Sequence, residues 1–485
     1  MLFRRTQTIG VMNTYYTKPE FISDRKYTIP KGPTKLVREV RKIVRHFCSP
    51  DVLKNYVTKK THFTRRSKCG LERFVLMKLF SREVTQTQIA QDYFGIGKQK
   101  RVTSSALTQI KAKVKPEFFE DLLREVNRLL DIQNDDLIAG KYRPVSIDGS
   151  NLPVPLNRDE KENIVHRKKG SKEPIRAGLH MNLMSVTSTG YFLGCVVQSQ
   201  KAKNERKAAI ELIEQYHTFY EKKGIIPVFI MDRGYFSYLI ALICEKYGYK
   251  YLIRTKTREF RSLAPDLVEK EGIEDVSKIL TWHQRKQEKA DSRYKYASRK
   301  SMNSIEEGAE FVDFTARCVS LKLDEDSHSE YLITNLDLEL TLEDYSELYH
   351  RRWSIETTIG QLKYAADLKK IHSRKAEWIK QEIYASLITF NISCRMAQMG
   401  SAAKEEAKDA SGKSGKHEYK INLTEAIRTT KKFVGDLLFP GRKKASKTTD
   451  GDFLSDIASV VACIRENRSF RRNLHPNRLI YFTWR

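Results

Sequence analysis

One segment of the chain places a carboxylate among cations and a phenol at helical spacing. Tyr349, Arg352, Glu356 and Lys363 fall on a stripe about 60° wide, because each residue advances a helix by about 100°. The stripe beside it is apolar and consists of Leu348, Ile355, Ile359 and Leu362. A carboxylate at the edge of a buried face is suited to binding a metal ion while its neighbours bind phosphate groups. The alternative is a solvated, charged face on an ordinary amphipathic helix.

Two more carboxylates follow predicted strands earlier in the chain. Residues 145–147 lead into Asp148, and the buried-type strand 227–231 ends in Asp232. These residues and Glu356 are far apart in the sequence, so only folding can join them in one site. Carboxylate oxygens suit Mg²⁺, and two such ions about 4 Å apart can drive displacement at a phosphodiester. Each acidic turn is common by itself, but the ordered trio within an α/β pattern indicates metal-dependent chemistry on nucleic acid.

The elements around these acidic residues alternate between strand and helix. The predicted strands are 145–147, 178–186, 191–197, 227–231 and 249–254, and the predicted helices between them are 204–220 and 237–246. This order predicts an α/β fold with a mixed sheet. Residues 341–344 form a capping box that would begin the helix containing Glu356, and a second long helix is predicted at 378–399.

The predicted core is flanked and interrupted by segments of different character. The apolar helix 71–80, the break at 95–97 and the polar helix that follows favour a helix-turn-helix reader of DNA or, alternatively, a plain helical bundle. Residues 400–420 are rich in Ala, Lys, Ser and Gly and are predicted to be mobile. The predicted division is a helical DNA-binding region (1–140), a first part of the core (141–256), an insertion (257–328), a second part of the core (329–400) and a basic C-terminal region (401–485).

Composition indicates the kind of partner. The chain has 88 Lys and Arg against 60 Asp and Glu, a formal net charge of +28 among 485 residues. Nucleic acid is the leading partner for such a charge, and an anionic membrane is the weaker alternative. No apolar run reaches the roughly 18 residues of a spanning helix, and residues 1–20 lack a secretory apolar segment. The 7 cysteines are scattered without a Cys-x-x-Cys pair, which is typical of a reducing cytoplasm.

The chain resembles bacterial insertion-sequence transposases of the DDE superfamily. Tyr349, Arg352, Glu356 and Lys363 match in full the Tyr-x2-Arg-x3-Glu-x6-Lys signature of one branch, the insertion-sequence-four family. The acidic motifs of that family are similar to Ser-Ile-Asp-Gly-Ser at 146–150 and Asp-Arg-Gly-Tyr at 232–235. The residue patterns of segments 177–181 and 203–208 are also similar to those of the family. The resemblance covers roughly residues 70–400.

This resemblance implies a ribonuclease-H-like mixed sheet with an inserted mainly-β domain, between helical N-terminal and C-terminal regions. The strands of Asp148 and Asp232 would lie side by side, with Glu356 packed over them. The three carboxylates would be catalytic and would bind two Mg²⁺ ions, for which Mn²⁺ would substitute. The implied reaction is cleavage at the ends of the element followed by transfer of the 3′-OH strand into target DNA, by a homodimer in the bacterial cytoplasm, associated with the nucleoid.

Several further residues are candidates for contact with DNA. The family places Tyr349, Arg352 and Lys363 on phosphates near the cleaved end. Some relatives make a hairpin and stack a flipped base on a tryptophan of the insertion, and Trp282 is the tryptophan at 257–328. A structural role in packing the insertion is the alternative for Trp282. Two arginines at strand ends, Arg233 and Arg254, are predicted to contact phosphate or else to be solvated.

Three functions are compatible with these residues. The first is an active transposase that works on paired DNA ends. The second is a metal-dependent nuclease without strand transfer, and the third is an inactive, DNA-binding derivative. The complete signature favours the first function over the second. The intact acidic trio disfavours the third, because carboxylates crowded at a phosphate-binding surface repel one another without metal.

Overall fold

The computed structural model describes residues 27–463 except 66, 82–84, 95–101, 131–136, 166–175, 323–328, 412–418 and 440–447. Its helices are α1 (Pro33–Phe47), α2 (Pro50–Leu53), α3 (Leu71–Phe80), α4 (Gln86–Phe94), α5 (Ser104–Lys113), α6 (Glu117–Leu130), α7 (Glu205–Tyr220), α8 (Tyr238–Lys246), α9 (Thr257–Leu263), α10 (Lys286–Ala290), α11 (Arg299–Ile305), α12 (Leu342–His350), α13 (Trp353–Tyr364), α14 (Ala376–Ser411), α15 (Leu423–Leu438) and α16 (Asp450–Ser459). Its strands are β1 (Tyr142–Val154), β2 (Ile164–Val165), β3 (Arg176–Val186), β4 (Phe192–Ser199), β5 (Ile226–Met231), β6 (Lys250–Thr255), β7 (Gly272–Thr281), β8 (Tyr294–Tyr296), β9 (Phe311–Lys322), β10 (Ser329–Thr334), β11 (Tyr419–Ile421) and β12 (Val461–Cys463).

Five strands in the order β4-β3-β1-β5-β6 form the core of the fold. Strand β3 is antiparallel to both of its neighbours, β4 and β1, whereas β5 and β6 run parallel to β1. A hairpin joins β3 to β4 through Gly190, whose φ of 71° lies in the left-handed region that favours glycine. Parallel strands need a crossover, and α7 and α8 supply it. The predicted α/β fold with a ribonuclease-H-like mixed sheet is confirmed.

The insertion continues this sheet instead of forming a separate one. From β6 the sheet extends through β10, β9, β7 and β8 to a total of ten strands, with β2 and β4 both pairing with β3. The strand β9 pairs with β10 over Ser329 to Thr334, so the insertion is joined to the core along a full strand. The sequence predicted a mainly-β insertion but gave no partner for its strands.

The two rows of side chains on β5 pack in different apolar clusters. On β5, Val228 and Ile230 belong to a small cluster that α12 covers, whereas Phe229 and Met231 belong to the large core beneath the other helices. Side chains alternate between the two faces of a strand. The side chain of Asp232 therefore lies on the same face as that of Ile230, which α12 covers. The same alternation places Asp148 on that face, because Tyr142 of β1 lies in the small cluster.

The predicted single helix over Tyr349 to Lys363 is wrong, because it is divided into α12 and α13. The capping box at Thr341 begins α12 as predicted, but the regular helical hydrogen bonds stop after Arg351, whose N–H donates to Glu347 O over 3.2 Å. At the junction, the backbone N–H of Arg352 donates to Tyr349 O and that of Ile355 donates to Arg352 O, which are tighter three-residue turns. Leu348 packs in the small cluster, whereas the apolar side chains of α13 pack in the large core. The turn therefore separates a helix that packs on the small cluster from one that packs on the large core.

The N-terminal helices pack directly on the core. Helix α14 runs from Ala376 to Ser411 and contacts α3, α6, α15 and α16. It begins close to the predicted position but continues past Met399, so residues 400–411 are helical and the prediction of mobility is wrong for them. The break predicted at 95–97 lies outside the described residues. In the described ranges, no helix combines the length and the apolar character needed to cross a membrane.

A buried charge cluster joins three parts of the chain. Glu382 of α14 lies 2.9 Å from Lys78 of α3 and 3.3 Å from Lys111 of α5. Its carboxylate also accepts hydrogen bonds from the hydroxyl of Ser373 and the backbone N–H of His372. Burial opposes the charge of Glu382, but the two lysines outweigh it and hold the pKa of the carboxyl far below its usual value. The cluster thus connects the N-terminal helices to the segment that follows α13.

Candidate active site

The two aspartates lie side by side where the parallel pairing of β1 with β5 ends, Asp148 in the middle of β1 and Asp232 directly after β5. Ile147 of β1 pairs with Met231 of β5, and each aspartate is the next residue along its strand. The predicted side-by-side arrangement of the strands of Asp148 and Asp232 is therefore present. The backbone N–H of Gly149 donates to Asp148 Oδ1 over 2.8 Å and helps to fix that carboxylate.

The turn between α12 and α13 brings the third carboxylate to the aspartates. Arg352 Nη1 lies 3.8 Å from Asp148 Oδ2, and Arg352 Nη2 donates to Glu356 Oε1 over 3.1 Å. Tyr349 donates its hydroxyl proton to Asp232 Oδ1 over 3.5 Å, and its ring lies under the guanidinium of Arg352 at 5.5 Å. All three carboxylates therefore contact the pair Tyr349 and Arg352, of which Tyr349 belongs to α12 and Arg352 to the turn before α13.

Burial and mutual repulsion perturb the charges of this cluster. The pKa of Asp148 is raised to about 6, mainly by burial and also by Glu356 and Asp232, against the opposing effects of the Gly149 N–H and Arg352. Burial disfavours the charge of Arg352, but Tyr349 and the three carboxylates outweigh it and raise the pKa of the guanidinium. Crowded carboxylates with a raised pKa are typical of sites that bind a cation.

The donor set fits a divalent metal ion. Three carboxylates supply hard oxygen atoms, and a dication would relieve the repulsion that raises the pKa of Asp148. In the part of the chain that the structure describes, no group of three or more His, Cys, Asp and Glu is arranged to hold a metal ion. Arg352 contacts Asp148 and Glu356 here, so a metal that binds them would have to compete with its guanidinium. Asp148, Asp232 and Glu356 are the residues that would hold it.

We expect metal affinity to fall as the pH drops below about 6, the pKa of Asp148. A proton on Asp148 competes with the metal, so affinity should decrease by up to about tenfold for each further pH unit. An ordinary aspartate would begin to compete only near its usual pKa of 3.8. Mn²⁺ titrations of the wild type between pH 5 and 7 would measure this. A constant affinity down to pH 5 would show that Asp148 is not a ligand.

The other predicted DNA contacts are not equally close to the carboxylates. Lys363 donates to Ser150 Oγ over 2.6 Å and to Asn151 O over 2.8 Å, so it lies against β1 just beyond Asp148. Arg233 is exposed and has no hydrogen bond or ion pair with another described residue. Arg254 is partly exposed, and its Nε lies 3.2 Å from Glu330 Oε1.

Trp282 is not brought to the carboxylates. It follows the last residue of β7, whereas the strand register aligns Asp232 with Ile273 at the opposite end of that strand. Its indole N–H donates to Ala309 O over 3.3 Å, and the guanidinium of Arg299 lies 4.8 Å from its ring. These contacts are those of a residue that packs the insertion, which was the alternative in the sequence analysis.

Sequence reasoning missed two acidic residues beside this site. Glu330 of β10 is buried with 5% exposure, and burial raises its pKa. Arg254 and Arg352 oppose that rise, and Asp232 adds to it. Glu205 begins α7 and lies against the glycines that follow the two aspartates. Glu205 belongs to a segment noted in the sequence analysis only for its likeness to the family, and Glu330 was given no role there.

The fold and the carboxylates at one end of its sheet define a ribonuclease-H-like enzyme core. Comparison with protein families identifies the family more closely, because residues 139–392 match the family described as "Transposase DDE domain". The match covers more than half of the chain, which therefore belongs to the DDE transposases. The comparison with curated proteins found no match.

One solved structure with a similar fold is the cryo-electron microscopy structure of the piggyBac transposase synaptic complex with hairpin DNA. It shares 9% sequence identity with this chain, with a TM-score of 0.41. The alignment covers 88% of this chain and 85% of the other.

Proposed function

We propose that this DDE transposase cleaves the ends of an insertion element and joins the freed 3′-OH to target DNA. The observation that carries the proposal is the contact of Tyr349 and Arg352 with all three carboxylates, where the pairing of β1 with β5 ends. The net charge of +28 supports double-stranded DNA as the substrate. The complete Tyr-Arg-Glu-Lys signature supports membership of the insertion-sequence-four branch. In this proposal the five regions of the chain, with boundaries at 140, 256, 328 and 400, keep the roles given in the sequence analysis.

Metal ions supply the charge stabilisation in this proposal. Asp148, Asp232 and Glu356 would hold two Mg²⁺ ions, which activate the attacking oxygen and stabilise the leaving oxygen. Arg352 would pass from neutralising the carboxylates to binding a phosphate as the ions bind, since its guanidinium suits both partners. Tyr349 holds Asp232 in place through its hydroxyl. Lys363 and Arg233 would bind flanking phosphates, and the homodimer would bring two element ends together.

The experiment that tests this function is cleavage of a labelled duplex that carries the end of the chain's own element. We expect a nick at one position with Mg²⁺ and none with EDTA, and a denaturing gel would show whether the product is a hairpin. Addition of a target plasmid should then give joined products. Cleavage without joining would favour the metal-dependent nuclease. Specific binding without cleavage in Mg²⁺ or Mn²⁺ would favour the inactive DNA-binding derivative.

Replacement of Lys363 by Ala should weaken end binding and make it less sensitive to salt. Each phosphate contact contributes about 0.9 to the slope of log affinity against log salt, so the slope should become shallower by about that amount. Burial and Lys369 lower the pKa of Lys363 to about 8, so the measurement belongs at pH 7, where the ammonium is charged. Filter binding at several salt concentrations would measure the slope. An unchanged slope would mean that Lys363 only packs against Ser150 and Asn151.

A further inference from the structure

The sheet continues past Asp232 onto strands that carry two more charged side chains. Met231 of β5 pairs with Ile253 of β6, so the next residues along the two strands, Asp232 and Arg254, lie side by side. Arg254 in turn pairs with Leu332 of β10. Neighbouring strands are about 4.8 Å apart, so the backbone of Arg254 is as close to Asp232 as β1 is on the other side. A cation therefore stands beside this aspartate, on the side away from β1.

Arg254 and Glu330 present their side chains on the same face of the sheet as Asp232. Leu252 lies two residues before Arg254 on β6, and Leu332 lies two residues after Glu330 on β10. Both leucines pack in the small apolar cluster under α12. Side chains two residues apart on a strand point to the same face. All three charged side chains therefore lie on the face that α12 covers.

Arg254 and Glu330 form an ion pair on this face. Arg254 Nε lies 3.2 Å from Glu330 Oε1. The side chain of Glu330 is 6% exposed, whereas that of Arg254 is 32% exposed. In the described ranges, Glu330 is the only ion-pair partner of Arg254. A buried carboxylate thus holds a guanidinium that remains accessible to a ligand.

The phenol of Tyr349 shows how close this ion pair is to the catalytic carboxylates. Burial raises the pKa of Tyr349, Arg352 opposes the rise, Asp232 and Glu330 add to it, and Arg254 opposes it. The hydroxyl of Tyr349 also donates to Asp232 Oδ1 over 3.5 Å. Two arginines therefore flank Asp232, with Arg352 on the side of β1 and Arg254 on the side of β6.

The position of Glu330 is costly in a site that binds DNA. Burial removes its hydration and Asp232 repels it, so both disfavour its charge and raise its pKa. Its carboxylate would also repel the phosphates of a bound strand. The compensating feature is the fixed orientation of Arg254, because a planar guanidinium must be aimed to bind phosphate through two N–H groups. A guanidinium has five N–H donors, so contact with Glu330 leaves donors for a phosphate.

We propose that Glu330 is a positioning residue that holds Arg254 beside Asp232, where the guanidinium binds a DNA phosphate next to the one that is cleaved. This inference rests on the proposed function, since that function supplies the DNA. Arg352 and Arg254 then bind the strand on the two sides of Asp232. Glu330 touches neither the DNA nor the metal ions, and it acts through Arg254. The alternative is that Glu330 only neutralises Arg254 within the fold.

The test is the affinity of the full chain for a labelled duplex that carries the end of its own element, measured by filter binding in EDTA at several salt concentrations. Glu330→Gln keeps the shape of the side chain and removes its charge. Removal of a negative charge ordinarily strengthens binding to DNA. We expect the opposite here, a loss of about fivefold with a salt slope shallower by up to about 0.9, because Arg254 no longer keeps its phosphate contact.

A double-mutant cycle separates positioning from a structural role. Arg254→Gln should weaken end binding by about tenfold, since it removes a charge-assisted contact with phosphate. The variant with both changes should bind like Arg254→Gln alone, because residues that act through one contact are not additive. Glu330→Asp keeps the charge, so it should bind more tightly than Glu330→Gln.

Glu339→Gln is the matched control for Glu330→Gln. Glu339 follows the end of β10, is exposed and has no ion pair with another described residue. Its replacement removes the same charge without releasing an arginine. We therefore expect an affinity equal to or slightly above that of the wild type.

The outcomes separate this inference from the proposed function on which it rests. Wild-type or tighter binding by Glu330→Gln would overturn the role of Glu330, and wild-type binding by Arg254→Gln would overturn the phosphate contact. Specific binding and Mg²⁺-dependent cleavage by the wild type would leave the proposed function intact in both cases. A wild type that does not bind its own end would overturn both. Should Glu330→Gln fail to fold, the double variant decides, because binding weaker than that of Arg254→Gln would contradict action through Arg254.

Discussion

Asp148→Asn, Asp232→Asn and Glu356→Gln should each reduce cleavage of the element end by about a thousandfold or more. Each change keeps the size of the side chain and removes one charged oxygen ligand from the cluster where the pairing of β1 with β5 ends. The metal ions stabilise the transition state by several kcal/mol, and a loss of about 4 kcal/mol corresponds to about a thousandfold in rate. Single-turnover cleavage of labelled end duplex with saturating Mg²⁺ would measure the effect.

DNA binding by the same variants should persist, because the carboxylates repel phosphates and Arg352 remains in place. Glu347→Gln is the matched control for Glu356→Gln. Glu347 lies on α12 just before the turn, is exposed and pairs only with Arg351 among the described residues. Its replacement should leave cleavage unchanged. Normal cleavage by any one of the three variants would remove that residue from the catalytic set.

Glu382→Ala should lower the free energy of unfolding by about 3–5 kcal/mol, because it leaves Lys78 and Lys111 buried without their partner. The side chains of both lysines are at most 14% exposed, so water can compensate little of this loss. Thermal unfolding monitored by circular dichroism would detect it. Limited proteolysis should also show cleavage between α3 and α5 sooner than in the wild type, since the cluster ties these helices to α14.

Two further variants test the cause of this destabilisation. Glu377→Ala removes an exposed partner of Lys380 from the same helix and should change stability by less than about 1 kcal/mol. Replacement of Lys78, Lys111 and Glu382 together by Met should recover most of the loss, because it removes every charge at once. If Glu382→Ala were as stable as Glu377→Ala, the buried cluster would not be what attaches the N-terminal helices.

The alternation of strands and helices could be predicted from the sequence, and the family resemblance implied the neighbouring positions of the two aspartates. Apolar runs that lead into Asp148 and Asp232 indicate the two strands locally, whereas only the family resemblance implied that these strands lie side by side. The family signature added Glu356, which has no local sign of its role. Residue type and spacing thus predicted three carboxylates that the fold brings together.

The helical arrangement around Glu356 could not be predicted in the same way. Periodicity treats residues 349–363 as one helix, and each residue there is compatible with that reading. At the turn of Arg351 and Arg352 the chain changes its packing partners, because Leu348 packs in the small apolar cluster and Ile355 in the large one. This cause lies in the tertiary structure, and no pattern of residues within the segment reveals it.

Partners that lie far apart in the sequence were also beyond prediction. The contact of Glu205 with Gly149 joins a helix start to a strand, and neither residue signals the other. The strands of the insertion gave no sign that β9 would pair with β10. Each of these contacts depends on the positions of whole elements, which local patterns of charge and hydrophobicity do not specify.

The pairing of β9 with β10 has a consequence for solubility. Deletion of residues 257–328 would remove the strand that covers one side of β10, so its backbone N–H and C=O groups would face solvent along an open edge. Such edges recruit strands from other molecules and promote aggregation. The insertion therefore covers the edge of the sheet at β10. Shortened versions of this transposase would need a new edge strand, or charged residues on β10, to remain monodisperse.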